Sequence, residues 1–576
     1  MVKINNTKNN KRLKHSNGII DVMRAKIGNF FILLKKPTEM STSIWIKSLC
    51  LLGCQFLKQK WQQFIENILN SRGKKHFLLT FALGFCNFVA TVPFSIIIVL
   101  PLTFGSLLYI IESKEKETIK SLLITIFAFL FGHFTSIFWW FFVPLTTDFL
   151  HLFWLTPFAV LGLPCVMSLL FIPFFWIGLA TWRRIISKKP HYLSNGTNEL
   201  ILASIFLLSW FCGDYIRGHF IFGGFPWMLF GHFVPYSFAI QPIKIIGIDL
   251  YSICFLALVL TPYFLIKKPN KIILKKASFV VIISWIVNCV IGLFITIFVS
   301  TVKIDADIIA SQANMPASLY INSDTAYKII NENARILSIL SRSQRPTLML
   351  MPEGSINYDI DSNDALTSQL GHIVPNDNSL LMSGGIHTKG VAPYNVIYAI
   401  TNGGYIIDMY KKQKLVPFGE YIPFRKFLPR LTRSITGDTF DFATSGENSL
   451  FIFHKNLPII YPIICYESIF PNYVKQNIAK SRKKINNDLT KEYAKQVNVK
   501  TLEERGEIIV NLTNDVWMKW SVGPYQHFLM TRFLAVSTGL TVIRVSNNGI
   551  SAFIDKYGRV KSKTRLNAKD ILFVRR

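Results

Sequence analysis

The chain has 576 residues, of which 51% are hydrophobic and only 17% charged, against about 25% charged in an ordinary soluble domain. Its formal net charge is +30, but Lys and Arg gather in runs between long apolar segments. That is how membrane proteins mark cytoplasmic loops; it does not make a nucleic-acid-binding face, so no nucleic-acid partner is expected. The 8 cysteines include no C-x-x-C pair and no ligand-spaced Cys/His cluster. Neither a zinc site nor a disulfide framework follows, and no metal or cofactor is expected.

Residues 1–75 form a basic N-terminal extension with patches such as "KNNKRLKHS" and "SRGKK". "LCLLGC" at 49–54 has the look of a lipidation signal, but its apolar run is short and broken by Lys47. An interfacial amphipathic stretch over 28–57 is the better reading. No cleavable signal peptide is expected, since the first strong apolar segment begins near residue 76. Residues 76–111 are long enough for two spans with a turn near Pro93, at about 20 residues per helix. Further spans are predicted over 121–143, about 153–180, about 199–213, about 248–266 and 278–300. The aromatic, Gly-rich "GDYIRGHFIFGGFPWMLFGHFVPYS" reads as an interfacial or re-entrant loop. A transmembrane bundle of about seven helices over 76–300 results. With seven spans the Lys/Arg-rich segments share one face, which the positive-inside rule makes cytoplasmic. Residues 301–576, C-terminus included, are then expected outside.

From residue 301 short apolar runs end in polar or Gly/Pro punctuation: "TLMLMPEGS", "SLLMSGGIH", "LPIIYPIICYES", "EIIVNLTND". These read as strands, with helices between them, and predict a layered α/β domain. "KSRKKINNDLTKEYAKQVNVKTLEERGE", residues 480–507, is charged and is expected to be a solvated surface insertion.

Cys465 is the last of the cysteines; the other seven lie at or before Cys289. An unpaired thiol in an external domain is a liability unless it does chemistry. A nucleophile needs a base and an oxyanion-stabilising group. Glu353 ends the apolar "TLMLMPE", where partial burial suits a general base. Lys412, in "DMYKKQKLVPFGE", would favour a thiolate and stabilise an oxyanion, and Glu420 could hold that lysine. Each residue taken singly also fits a plain role: Cys465 a buried strand cysteine, Glu353 a helix cap, and Lys411, Lys412 and Lys414 a solvated face.

In combination and in order, "PEGS", "YKKQKLVPFGEYIP", "ICYES" and "NLTNDVW" resemble the nitrilase superfamily with its Glu–Lys–Cys triad. Downstream of several membrane spans, these forms are similar to the bacterial apolipoprotein N-acyltransferases. "GPYQHFLMTRFLAVSTG" and "SNNGISAFID" continue the resemblance. It implies a nitrilase-like αββα sandwich over 301–576, fused to the membrane bundle. It also implies roles: Glu353 as base, Lys412 as the lysine, Cys465 as nucleophile, and Glu420, Tyr466 and Glu467 in support. The implied reaction moves an acyl chain from a membrane phospholipid, through a Cys465 thioester, to the N-terminal amine of a diacylglyceryl-modified apolipoprotein. The implied setting is a bacterial inner membrane, with the catalytic domain on the periplasmic side. Two alternatives stand beside it: a membrane-tethered amidase or nitrilase, and a catalytically degenerate lipoprotein-binding relative.

Overall fold

A computed structural model describes residues 42–148, 153–188, 197–267, 271–300, 304–315, 323–339, 344–357, 359–360, 363–388, 392–423, 425, 441–444, 450–454, 456–488 and 506–575. The chain divides into two compact units, Met1–His76 and Phe77–Arg576. In the first, α1 (Thr42–Asn70) takes in the lipidation-like "LCLLGC". Ser71 ends this helix by donating from its hydroxyl to Ile68 O at 2.8 Å.

Helices α2 (Gly73–Phe85), α3 (Val99–Ser113), α4 (Ile119–Phe138), α5 (Leu163–Lys188), α6 (Thr197–His219), α7 (Ile243–Lys267) and α8 (Ile272–Phe298) follow. Among the described residues, five segments are long and apolar enough to cross a bilayer: Ile119–Thr146, Phe153–Ser187, Thr197–His219, Ile243–Ile266 and Ile272–Phe298. The stretch expected to hold two spans over 76–111 instead forms α2 and α3, of 13 and 15 residues. Each falls short of the roughly 20 residues a full span needs. α8 exposes Phe279, Val280, Ile283, Ile286, Val290, Phe294 and Phe298, side chains that only a lipid environment solvates without penalty. Where α2 meets α4 the two backbones touch. A Cβ on Gly84 would lie 2.0 Å from Phe129 O, and one on Gly132 would lie 2.0 Å from Phe81 O. Small residues permit that approach within a membrane bundle.

The aromatic loop after α6 is folded back and pinned from within. Arg217 and Asp214, one turn apart on α6, pair at 2.8 Å. The guanidinium also donates from Nη1 to Trp227 O at 2.7 Å and to Phe225 O at 3.2 Å. Asp214 Oδ2 accepts from Phe230 N and from Trp210 Nε1. A buried charge is tolerable only when satisfied in this way. Non-helical backbone is likewise tolerated at this depth because protein surrounds it.

The second half of the chain contains two sheets. One has strand order β11-β1-β2-β3-β4-β5, the other β10-β9-β8-β7-β6. The strands are β1 (Asp307–Gln312), β2 (Thr347–Ile356), β3 (Leu380–Thr388), β4 (Pro393–Thr401), β5 (Ile406–Lys411), β6 (Ile459–Ile464), β7 (Glu507–Thr513), β8 (Thr541–Ser546), β9 (Ala552–Ile554), β10 (Val560–Lys563) and β11 (Asp570–Val574). β1, β2 and β3 run parallel, as do β6, β7 and β8. Inner faces such as Leu348, Leu350, Ile397, Ile460, Val510 and Ile543 form one buried core between the sheets. α9 (Ser323–Ser338) and α10 (Asp364–Gly371) cover the outer face of the first sheet through Ile330, Leu337, Leu366 and Leu370. α11 (Pro471–Asp488) and α12 (Gly523–Thr538) cover the second through Val474, Ile478, Leu534 and Ala535. The expected αββα sandwich is therefore present.

One expectation changes. Residues 480–488 are not a solvated loop but the end of α11. Val474, Ile478, Ser481 and Ile485 turn one stripe inward, at the i, i+4, i+7 spacing of a half-buried helix. Residues 489–505 of the expected insertion lie outside the described residues.

Two sets of hydrogen bonds fasten the sandwich to the bundle. Gln526 of α12 accepts from Trp140 Nε1 at 3.1 Å and Trp227 Nε1 at 2.8 Å, and donates to Ile137 O at 3.2 Å. Arg559 donates from Nη1 to Thr296 O and Val299 O, at 2.7 and 3.0 Å, satisfying carbonyls that the end of α8 leaves open.

Candidate active site

The parallel strands point their C-terminal ends the same way, and the polar residues collect there, as is usual in layered α/β folds. Glu353 projects from β2. Gly384 of β3 lets the two strands close at this point, since a Cβ there would lie 2.5 Å from Glu353 Cα. Lys412 follows β5, its N–H donating to Asn395 O at 2.8 Å. Cys465 follows β6 and opens a tight turn, Cys465–Ile469.

The structure brings Glu353, Lys412 and Glu420 together. Lys412 Nζ donates to Glu420 Oε1 at 2.7 Å and to Glu353 Oε1 at 3.2 Å. The ammonium is 1% exposed, the two carboxylates 12% and 13%. Burial alone would discharge the lysine, but Glu353, Glu420 and the nearby Cys465 reverse this and hold its pKa above the usual lysine value. It therefore stays charged at neutral pH. Glu353 Oε2 accepts from Asn514 N at 2.9 Å, and Glu420 Oε2 from Val416 N at 2.8 Å. Asn395 bridges the two carboxylates, its Nδ2 standing 2.8 Å from Glu353 Oε1 and 3.0 Å from Glu420 Oε1.

Cys465 is 4% exposed, and its φ of +47° is left-handed, an unusual conformation for a non-glycine residue. Burial first, and the Glu353 charge second, push its thiol pKa up; Lys412 and a hydrogen bond from Thr513 work against them. The resting group is thus a thiol, and attack requires a base to take its proton as the new bond forms.

Glu467 ties the Cys465 turn to the loop of Lys412. One carboxylate accepts from Ile464 N at 2.7 Å, Gln413 N at 2.8 Å, Lys414 N at 3.2 Å and Tyr410 OH at 2.9 Å. Burial raises its pKa and the backbone donors oppose this. Tyr466 stands between the same groups, with its hydroxyl buried and meeting no hydrogen-bond partner among the described residues.

A second ionic cluster lies behind Cys465. Asp515, after β7, pairs with Arg544 of β8 at 2.6 Å and with His527 Nδ1 at 2.8 Å. Burial disfavours the Asp515 charge, but Arg544 and His527 more than compensate and hold its pKa below the carboxylate range. Donor atoms of Cys465, Asp515 and His527 come within 4.8 Å of one another, yet the Arg544 guanidinium stands where a cation would balance Asp515.

Two family profiles match this chain in tandem. The apolipoprotein N-acyltransferase N-terminal domain matches residues 83–261, and the carbon-nitrogen hydrolase family matches residues 347–575. The chain belongs to the apolipoprotein N-acyltransferase family. Curated apolipoprotein N-acyltransferases resemble it along most of its length. The Rickettsia prowazekii protein is 29% identical, the match covering 81% of this chain and 85% of the relative. The Bradyrhizobium diazoefficiens protein is 26% identical, covering 89% and 91%. Among solved structures, a CN-hydrolase superfamily protein from Xanthomonas campestris matches 46% of this chain and 89% of its own, at 16% identity and a TM-score of 0.31. A nitrilase-superfamily member from Saccharomyces cerevisiae matches 48% and 92%, at 17% identity and a TM-score of 0.32.

Within this apolipoprotein N-acyltransferase fold, sequence reasoning missed Asn395, Thr513, Asp515, His527 and Arg544. Arg544 left a signal, a lone arginine inside the apolar run "LTVIRVS". Such a residue is either on an exposed face or paired in the interior. Asp515 and His527 lay inside motifs already quoted, without a role attached.

Proposed function

We propose that this protein acylates the N-terminal amine of diacylglyceryl-modified apolipoproteins, using a membrane phospholipid as acyl donor and Cys465 as the carrier. The observation that carries this is the fusion of a membrane bundle to a site where Glu353, Lys412 and Cys465 converge. Both substrates are lipids or lipid-anchored, so the bundle brings the catalytic domain to them. The working division is a cytoplasmic extension over 1–75, a bundle over 76–300 and a catalytic domain over 301–576 on the periplasmic side of an inner membrane.

In the first step the Cys465 sulfur attacks the ester carbonyl while its proton passes to Glu353. Lys412 and backbone N–H groups at the strand end stabilise the tetrahedral oxyanion. The carbon–oxygen bond then breaks, the leaving alkoxide takes the proton from Glu353, and the lysophospholipid departs. In the second step the acceptor amine attacks the thioester and gives a proton to Glu353. The carbon–sulfur bond breaks and the sulfur recovers that proton. Glu420 and Asn395 hold Lys412 and Glu353 in register. The hydrolase alternative has no support from the curated relatives.

The test is mass spectrometry of a diacylated lipoprotein peptide incubated with the protein and phospholipid vesicles. The expected result is a mass increase of one acyl chain on the N-terminal amine. An unmodified peptide with ammonia released from simple amides would replace this reading by the hydrolase.

A further inference from the structure

His527 takes no part in the proposed chemistry, yet it faces the nucleophile's own backbone. Its Nε2 lies 3.2 Å from Cys465 O and 3.0 Å from Ser468 Oγ, and Ser468 Oγ lies 2.9 Å from the same carbonyl. The three atoms close a triangle on one peptide group. The imidazole is itself held on its far side: with the proton on Nε2, Nδ1 accepts from Arg544 Nη2 at 3.2 Å, and Arg544 locks the adjoining Asp515 while also bonding Asn511 Oδ1 and Thr531 Oγ1, both at 3.1 Å. His527, Asp515, Ser468 and Arg544 are all at most 1% exposed, so no water competes for these bonds. The preceding residue on α12 is Gln526, whose side chain bonds Trp140, Trp227 and Ile137 of the bundle and so ties α12 down at this point.

The peptide concerned joins Cys465 to Tyr466. It is planar and trans, so its C=O and N–H point in opposite directions. Turning the carbonyl towards His527 turns the Tyr466 N–H the other way. That N–H belongs to the first turn of Cys465–Ile469, where no carbonyl of the same turn can reach it. The clasp also braces the left-handed Cys465, a conformation that persists only where its surroundings enforce it.

We propose that His527 is a positioning residue: by holding the Cys465 carbonyl, with Ser468 beside it and Asp515 and Arg544 behind it, it orients the Cys465–Tyr466 peptide whose N–H serves as an oxyanion donor. This rests on the acyl-transfer reading above. A small rotation of that peptide weakens the bond to the oxyanion and leaves substrate binding alone, so the effect belongs in kcat and not in KM.

The test compares two amides at one position, in the full-length protein. In His527→Gln the amide nitrogen stands where Nε2 stands and can still donate to the carbonyl. In His527→Asn the amide stands where Nδ1 stands and reaches only towards Asp515. Thioester formation is followed with labelled phospholipid. His527→Asn should lose about ten- to a hundredfold in kcat with KM unchanged, and His527→Gln should keep most of the rate. Equal losses overturn the proposal, because an imidazole acting as a base, or merely filling space, would not be rescued by one amide and not the other. Equal retention overturns it as well. Should the Asn protein fail to fold, Ser468→Ala removes the second contact and should lower kcat several-fold; an unchanged kcat there is also fatal. Cys465→Ala, run in parallel, separates the two levels: label accumulating on it sinks the acyl-transfer reading itself, whereas an inert Cys465→Ala beside unaffected His527 variants sinks the positioning role alone.

Discussion

Two buried ionic clusters flank Cys465, and they are built differently. The Glu353–Lys412–Glu420 group surrounds one ammonium with two carboxylates, both partly open to the site. The Asp515–His527–Arg544 group is sealed and spends its bonds on backbone and neighbouring side chains. The first can exchange a proton with a visiting molecule; the second can only hold its shape. On the proposed reading, similar residue types divide into a reactive and a structural set according to exposure and to what their spare bonds meet.

Removing the reactive set should have the largest effect on turnover. Cys465→Ala is expected to abolish acyl transfer, and Glu353→Ala and Lys412→Ala to lower it by roughly two orders of magnitude or more. Combining them should add little, because the three groups act as a unit. A Cys465→Ala protein that still takes up labelled acyl chain would break the comparison at its root. Apart from the His527 effect on turnover described above, the sealed set should show itself in stability. Asp515→Asn leaves Arg544 buried without its partner, a change that costs about 3–5 kcal/mol and that denaturant unfolding would register. Glu420→Gln, at a partly open position, should cost clearly less stability.

A third experiment sharpens the contrast by sign. The Glu353 charge raises the Cys465 pKa and Lys412 lowers it, and only thiolate reacts with iodoacetamide. Glu353→Gln should therefore alkylate Cys465 faster than the native protein near neutral pH, by roughly three- to tenfold, although acyl transfer falls. Lys412→Met should slow both. In the native protein the alkylation rate, read on the Cys465 peptide, should keep climbing above pH ~8.5, where an ordinary thiol levels off. A plateau there would show that the thiol is not raised.

Smaller effects are expected at the lysine's neighbours. Lys411 Nζ lies 4.8 Å over the Tyr394 ring, and Lys414 Nζ 5.3 Å over Phe470. Both ammonium groups lie over aromatic rings, so Lys411→Ala and Lys414→Ala should be mild; damage equal to that of Lys412→Ala would point to a diffuse basic patch. The smallest effect should follow replacement of 489–505 by a short linker, since loop length costs only about 0.6 kcal/mol per doubling. A deletion starting at 480 is different, because Arg482 pairs with Glu507 at 2.5 Å and Ser481 is buried.

The site candidates offered by the sequence all stand within recognisable motifs: Glu353, Lys412, Glu420, Cys465, Tyr466 and Glu467. The missed ones share another property. Asn395 lies near the start of β4, Arg544 interrupts an apolar strand and His527 lies on a helix, and none of these local contexts by itself names a partner. His527 and Arg544 come near Cys465 only because β6, β7 and β8 lie side by side with α12 packed over them, and Asn395 reaches Glu353 and Glu420 from β4 of the other sheet. The misreading of 480–488 had a simpler cause. The stripe of Val474, Ile478, Ser481 and Ile485 begins before residue 480, and a segment read from its first charged residue cuts that stripe in half.

Gln526 and Arg559 attach the sandwich to the bundle at separate points, α12 to Trp140 and Trp227, and the β9–β10 turn to the end of α8. A body held at two separate points can turn only about the line that joins them. On the proposed acyl-transfer reading, the height of Cys465 beside the apolar helices therefore varies little, and an acyl chain carried on it stays near that height too. Among all amines in the surrounding water, those tethered to the same bilayer visit that height most often. On that reading anchorage itself acts as a filter on acceptors, ahead of any contact with the polypeptide that follows the amine.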